Sequence, residues 1–341
     1  MKQEYRRLAA LRQQETQALE RDRFCIDLVR HCTDLIDELQ RERGLGQLVL
    51  SMAAESYAPA LCEQIQCSVE VEQALRQQLC QLEQAPWTAE TGLTEFKRLG
   101  LALLHSPGLA DLVSLRRELL LTRCSRQAVY EAYCTLLAQL LALVEAAGNV
   151  LSDPALEQEL ATLLQLMWGK EYSGQERASG AGLYASGRHE ARGWQRIGEL
   201  IEAQQRCASA FISRARPGAR KHLKDSLQFE TQAELEALRQ RLADSPDQAP
   251  LDPGLGELWF RSCSRRMNEL RSVERHLLQE MQQELARRQA HPVTTTRRQT
   301  DMPHTVRLTP GAVETVLRTA TAWLASAQPI SRPAAAAAPI R

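Results

Sequence analysis

The sequence predicts an all-α protein, built as antiparallel helical bundles that share long helices and end in a flexible C-terminal tail. Three observations support this prediction. Leu, Ala, Gln, Glu and Arg, which favour helices, dominate the composition, whereas β-branched residues are scarce. Apolar residues recur at intervals of three and four over long stretches, as they do on one face of a helix. We find no segment in which apolar and polar residues alternate as in a strand.

The first half of the chain is predicted to form four helices. The first has no internal proline, and Gly44 and Gly46 are the points at which it could break. Proline and glycine also end the second and third helices, at Pro86 and at Pro107-Gly108. The predicted helices cover residues 3–52, 59–83, 91–105 and 109–147.

The second half is predicted to begin with a capped helix. Asp153 can cap its first turn, and Pro154 occupies the first helical position, where a missing N–H costs nothing. Thr231 followed by Glu234 predicts the N-cap of a later helix. The predicted helices cover residues 154–214, 231–243 and 255–288.

The character of the sequence changes after His291, which predicts the domain organisation. We expect one helical domain over residues 1–290. A polar linker over 291–308, a short amphipathic helix over 309–327 and a disordered tail over 328–341 are expected to follow it.

Charge and hydropathy exclude several classes of protein. The 42 basic and 42 acidic side chains balance, which argues against non-specific nucleic-acid binding as the main task. The most apolar stretch, residues 133–150, contains Glu145 and is predicted to be a buried helix rather than a membrane span. The charged, helical N-terminus does not resemble a signal peptide. We therefore expect a cytoplasmic protein without a membrane partner.

The sequence offers no pattern typical of a metal site or an enzyme. Its nine cysteines are scattered, and neither C-x-x-C nor H-E-x-x-H occurs. The glycines of residues 174–187 lack the preceding strand of a nucleotide-binding loop. We predict that the protein is not an enzyme and uses no metal or cofactor.

One short motif occurs in both halves of the chain. Residues 42–46 read Glu-Arg-Gly-Leu-Gly, and residues 176–180 read Glu-Arg-Ala-Ser-Gly. Each motif contains Glu-Arg, a small residue, any residue and glycine. Arg43 shares a helix face with the apolar residues Ile36, Leu39 and Leu50 and with Gly46, since the steps are of three and four. Arg177, Gly180 and Tyr184 repeat that spacing.

Two interpretations of these arginines are open from the spacing alone. A buried guanidinium is costly unless an anion meets it, and neighbouring helices commonly supply a carboxylate. Alternatively, Arg43 and Arg177, each beside a glycine (Gly46 and Gly180), frame a small cavity. A planar oxyanion such as nitrate or nitrite would fit there, because a guanidinium presents parallel N–H donors in one plane.

These residues carry a resemblance to a known family. Residues 39–45, LQRERGL, and 174–181, GQERASGA, resemble the nitrate- and nitrite-sensing (NIT) domain family. The stretch 259–278 looks like that domain's closing helix, and 234–239 looks like the shorter helix before it. The resemblance covers roughly residues 20–290, which suits one large domain.

The resemblance implies an all-helical sensor that binds nitrate or nitrite through arginines from separate helices. By this resemblance Arg43 and Arg177 are anion ligands, Arg239 is a further candidate from a looser match, and Arg41 lies beside the motif. Family members that act as transcription antiterminators are dimers, so a homodimer is expected.

The sequence departs from the family's usual layout after His291. The RNA-binding ANTAR output of the antiterminators needs three helices, and only one candidate helix is present there. We therefore expect regulation of nitrate assimilation through a regulatory protein partner. Two alternatives remain: a helical scaffold without a ligand, and an RNA-binding antiterminator with a divergent C-terminus.

Overall fold

The computed structural model of the chain describes residues 2–51, 54–85 and 91–290. In these ranges the backbone forms helices and no strand, and a lone bridge pairs Arg188 with Pro250. The all-α prediction is therefore confirmed. The helices are α1 (Lys2–Ser51), α2 (Ala54–Gln84), α3 (Thr91–Leu104), α4 (Pro107–Ala110), α5 (Leu112–Leu120), α6 (Arg126–Gly148), α7 (Pro154–Ala185), α8 (Ala191–Arg214), α9 (Pro217–Ser226), α10 (Phe229–Ala243) and α11 (Gly254–Ala290).

The prediction of one helix over residues 109–147 is wrong. The chain instead forms α4, α5 and α6, with a turn between the last two in which Thr122 adopts a φ of 52°. The hydroxyl of Ser125 accepts a hydrogen bond from the amide of Ala128 and so caps α6. No proline or glycine marks this break, which is why the apolar recurrence concealed it.

The predicted helix over residues 154–214 is also two helices. Gly187, with a φ of +68°, lets the chain leave α7 in a conformation that other residues rarely adopt. The predicted start of α7 is confirmed, because the Asp153 carboxylate accepts from the amide of Ala155 and Pro154 is the first helical residue. Thr231 is not a cap. It is buried inside α10, which begins at Phe229.

Two long helices, α1 and α7, lie side by side and run in the same direction. Contacts advance together along the two segments: Asp22 with Ser152 just before α7, then Thr33 with Met167 and Asp37 with Lys170. Each long helix has its own partners: α1 packs on α2 and α6, and α7 packs on α8 and α11. The two halves of the chain therefore meet along one central pair of helices.

Helix α6 is the helix of the described residues whose length and composition would suffice to cross a membrane. Half of its most apolar window is buried inside the protein. Its Leu and Val side chains join a core formed with α1, α2 and α7. This burial agrees with the prediction of a buried helix for residues 133–150.

The predicted linker (291–308), amphipathic helix (309–327) and tail (328–341) lie outside the described residues. The division of the chain into domains therefore stays a prediction.

Candidate functional site

The glutamates of the two motifs each bind an arginine from another helix of the same half. Glu42 accepts from Arg116 at 2.8 and 3.1 Å and from the Tyr133 hydroxyl at 2.6 Å. In the second half, Glu176 accepts from Arg239 at 2.8 Å through both carboxylate oxygens. These paired charges are buried, so each glutamate fixes a helix–helix contact rather than facing a ligand.

The arginine of the first motif is fully buried and neutralised. Arg43 donates to both carboxylate oxygens of Glu171 on α7, at 2.5 and 3.1 Å. It also donates to the sulfur of Cys134 at 3.1 Å and lies over the ring of Tyr130, 5.8 Å from its centre. For Arg43 the structure therefore agrees with the first of the two interpretations, a carboxylate supplied by a neighbouring helix. Glu171 meets Arg43 from the opposite half of the chain.

The arginine of the second motif is buried without such a partner. Arg177 donates to the backbone carbonyl of Gln40 at 2.5 Å and to the Ser264 hydroxyl at 3.0 Å. It lies over the ring of Phe260, 4.8 Å from the ring centre, and its Nε has no hydrogen-bond acceptor. Within the described part of the chain, no carboxylate oxygen lies within 4.0 Å of this guanidinium.

The two arginines differ accordingly in their proton affinity. Burial opposes the charged form of Arg43, but Glu171, Cys134 and Tyr130 together outweigh this effect and raise the pKa of Arg43. Burial, with the repulsion of Arg43 next, lowers the pKa of Arg177 to about 10. Both groups are positively charged at neutral pH, and only Arg177 carries a charge that no carboxylate compensates.

A cavity of about 200 Å³ opens beside Arg177, between α1, α2, α7 and α11. Water occupies about 30 Å³ per molecule, so a small oxyanion fits with solvent to spare. Four cationic groups line the cavity, facing one carboxylate, that of Asp37. The cationic residues are Arg41, Lys170, Arg177 and Arg271.

Glycines bring the motif arginines close to the opposite long helix. A Cβ placed on Gly44 would lie 2.6 Å from Nη2 of Arg177, and one on Gly174 would lie 2.6 Å from Nη2 of Arg43. The predicted pocket glycines lie elsewhere. Gly46 packs on Leu119 of α5, and Gly180 packs on the ring of Trp259.

Of the four predicted arginine ligands, two line the cavity and two do not. Arg177 and Arg41 line the cavity, Arg43 lies near Arg177 but is enclosed, and Arg239 is bound to Glu176 away from the cavity.

Five residues of this region were not identified from the sequence. Glu171 and Lys170 are charged residues within the buried side of α7, a signal that could have drawn attention to them. Ser264 and Arg271 lie in polar stretches of α11, and their spacing does not distinguish them from the solvent-exposed residues around them. The five are Asp37, Lys170, Glu171, Ser264 and Arg271.

Comparison with known proteins assigns the family. The sequence profile of the nitrate and nitrite sensing (NIT) family matches residues 34–282, which is most of the chain. The chain belongs to the NIT family. This membership confirms the resemblance carried by the two Glu-Arg motifs. A family defined by sensing also accords with the prediction of a regulatory protein rather than an enzyme.

Two relatives extend this finding. The nitrate regulatory protein of Klebsiella oxytoca is 29% identical over 245 residues, which cover 72% of this chain and 59% of that relative. The chain therefore spans about three fifths of the length of that relative. The structure of the NasR transcription antiterminator superposes with a TM-score of 0.72 at 23% identity, over 85% of this chain and 76% of that one. This likeness shows a shared helical fold.

Proposed function

We propose that this NIT protein senses nitrate or nitrite, binding the anion in the cavity beside Arg177. The observation that supports the proposal is the buried guanidinium of Arg177, which meets no carboxylate among the described residues. A buried charge of this kind is costly unless an anion compensates it. Its acceptors in the protein are a neutral carbonyl and a hydroxyl, so most of its charge is left for a ligand.

The shape of the ligand follows from the donor. Nε of Arg177 is without an acceptor, and each terminal nitrogen carries a second N–H. Two oxygens of a planar anion can accept a parallel pair of these N–H groups. Arg41 on the cavity wall is more exposed than Arg177 and held by Glu38 at 3.6 Å, so it is the second direct ligand that we propose.

Arg43 and Arg239 receive indirect roles in this proposal. Arg43 neutralises Glu171, which would otherwise add a negative charge to the region where the anion binds. Arg239 holds Glu176, the residue before Arg177, and so fixes the turn of α7 from which Arg177 projects. Both residues matter for binding without contacting the ligand.

The bound anion would join three helices. Arg177 belongs to α7, Arg41 to α1, and Ser264 of α11 already accepts a hydrogen bond from Arg177. We propose that binding shifts α11 against the central helix pair and that α11, which ends at Ala290, carries the signal towards the C-terminal residues. We propose that the shift of α11 alters a homodimer and is recognised by a regulatory protein partner, which then controls nitrate assimilation.

Calorimetry of the full chain with sodium nitrate, sodium nitrite and sodium chloride tests the proposal. Nitrate or nitrite should bind and raise the melting temperature, whereas chloride at the same ionic strength should not. Arg177→Met should abolish the binding while the helical circular-dichroism spectrum persists. An Arg177→Met protein that takes up nitrate with wild-type affinity would refute the site.

A pair of variants decides whether Arg43 contacts the ligand. Arg43→Met alone should lose nitrate binding, because Glu171 is then free to compete with the anion for Arg177. The double variant Arg43→Met/Glu171→Gln should recover it, since both the charge and its partner are gone. A double variant that remains unable to bind nitrate would make Arg43 a direct ligand instead.

A further inference from the structure

The surroundings of Arg43 and Arg177 repeat one another. Each guanidinium lies over an aromatic ring of the last helix of its half, Tyr130 of α6 or Phe260 of α11. Each also donates to the side chain four residues after that ring, Cys134 or Ser264. The two halves therefore surround their arginines in the same way, around the parallel pair α1 and α7.

This repetition predicts a carboxylate partner for Arg177. Glu171, the partner of Arg43, lies six positions before Arg177 on α7. Six positions before Arg43 on α1 stands Asp37, which lines the same cavity as Arg177. By the symmetry of the arrangement Asp37 is the expected partner of Arg177, but the structure shows no ion pair between them in the described residues.

Other cations occupy Asp37 instead. One carboxylate oxygen of Asp37 contacts Nζ of Lys170, and the other contacts Nε of Arg271. Lys170 is itself fixed by Glu274, which is fully buried. The carboxylate of Asp37 is therefore bound by two cations, and Arg177 has no carboxylate partner among the described residues.

The charged cluster that binds Asp37 exists in one half alone. The offset that relates Phe260 to Tyr130 relates Arg271 to Leu141 and Glu274 to Val144. The offset between the motifs relates Lys170 to Ile36. These three counterparts are buried apolar residues, so no cation at these positions draws Glu171 away from Arg43. They are Ile36, Leu141 and Val144.

We propose that Asp37 is an internal competitor of the anion for Arg177, and that Lys170 and Arg271 are positioning residues which keep the site open by holding Asp37. The proposal deepens the proposed function and rests on it. Aspartate is one methylene shorter than glutamate, and the cavity leaves room for a longer side chain at this position. The length of the side chain at position 37 and its two cations together determine the affinity for the anion.

Substitutions of Asp37 in the full chain test this inference, because they act in opposite directions. Asp37→Glu should reach Arg177 and weaken nitrate binding about fivefold, the effect of one modest ion pair. Asp37→Asn removes the competing charge and should bind nitrate more tightly than the wild type. Calorimetric titration with sodium nitrate measures both, and a purely structural role of Asp37 would weaken binding in both variants and overturn the inference.

A second set of variants applies where Asp37→Glu does not fold. Arg271→Met should weaken nitrate binding by releasing one side of Asp37, and Arg271→Met/Asp37→Asn should restore it. A double variant as weak as the single one overturns the inference.

The outcomes also separate the two proposals. If the wild type binds neither nitrate nor nitrite, the proposed function fails. If the wild type binds nitrate, Arg177→Met does not, and Asp37→Glu binds as tightly as the wild type, the inference on Asp37 alone fails.

Discussion

The environments of Arg43 and Arg177 show how one arrangement of side chains gives two different results. Both arginines are buried, both lie over an aromatic ring, and both pass close to a glycine of the opposite long helix. Arg43 meets Glu171 through two hydrogen bonds, whereas Arg177 meets a carbonyl and a hydroxyl. The charge of Arg43 is neutralised within the protein, whereas the charge of Arg177 is available to an anionic ligand.

This difference teaches where a helical bundle can hold an anion. A buried ion pair whose partners satisfy each other has nothing left for a ligand. A buried cation becomes a binding group when its expected carboxylate is engaged elsewhere, as Asp37 is by Lys170 and Arg271. Such a site lowers the free energy of unfolding of the empty protein, and binding of the ligand raises that free energy again.

The largest expected effect comes from removing each arginine in turn and measuring stability without nitrate. Arg43→Met leaves the buried Glu171 carboxylate without its close guanidinium partner, although the side-chain amides of Gln40 and Gln175 still donate to it. It should therefore lower the free energy of unfolding by about 3–5 kcal/mol. Arg177→Met removes a charge that no carboxylate needs, so its cost should stay below about 1 kcal/mol. Urea unfolding in nitrate-free buffer measures both. Equal losses would show that the two environments are equivalent.

The two glycines should give a smaller contrast. Gly174→Ala forces Arg43 away from a carboxylate that fixes it, and should cost about 1–3 kcal/mol of stability. Gly44→Ala displaces Nη2 of Arg177, which is held by a neutral carbonyl rather than by a carboxylate, and the better helix propensity of alanine, ~1 kcal/mol, offsets the strain. Gly44→Ala should therefore melt near the wild type but lose nitrate affinity. Thermal melts with and without nitrate measure both changes, and unchanged nitrate stabilisation would contradict the role of Arg177.

The smallest effect is that of pH near neutrality. In the empty protein, burial and Arg43 disfavour the charged form of Arg177 and lower its pKa to about 10. This penalty is fully present at neutral pH and is relieved as pH rises through about 10 towards the ordinary value of 12.5. Nitrate needs the charged form of Arg177, so above about pH 10 its affinity should fall from the value at neutral pH.

Equilibrium dialysis with nitrate at constant ionic strength across this range tests that expectation. The Arg43→Met/Glu171→Gln variant is the matched control, since it removes the neighbouring charge and should move the alkaline fall to higher pH. An affinity that changes between pH 6 and 9 would mean that another group titrates with binding.

Part of this molecule can be deduced from its sequence because the information is local. The all-α fold follows from composition and from apolar intervals of three and four, and the start of α7 follows from Asp153 and Pro154. The motifs around Arg43 and Arg177 place both arginines on buried helix faces and carry the family resemblance. The turn at Thr122 escaped this reasoning because apolar residues recur on both sides of it. The turn at Gly187 escaped it because this glycine is one of seven between residues 169 and 198, and nothing local distinguishes it from the others.

The tertiary structure decided which charges neutralise each other. The periodicity of a helix tells which residues share its face, but not which helix lies opposite. Glu171 binds Arg43 because α1 and α7 run parallel in a fixed register, and Arg177 lacks a carboxylate because Lys170 and Arg271 engage Asp37. Ion pairing depends on distances of a few ångströms between distant parts of the chain and on competition among several charges, and neither is encoded in local spacing.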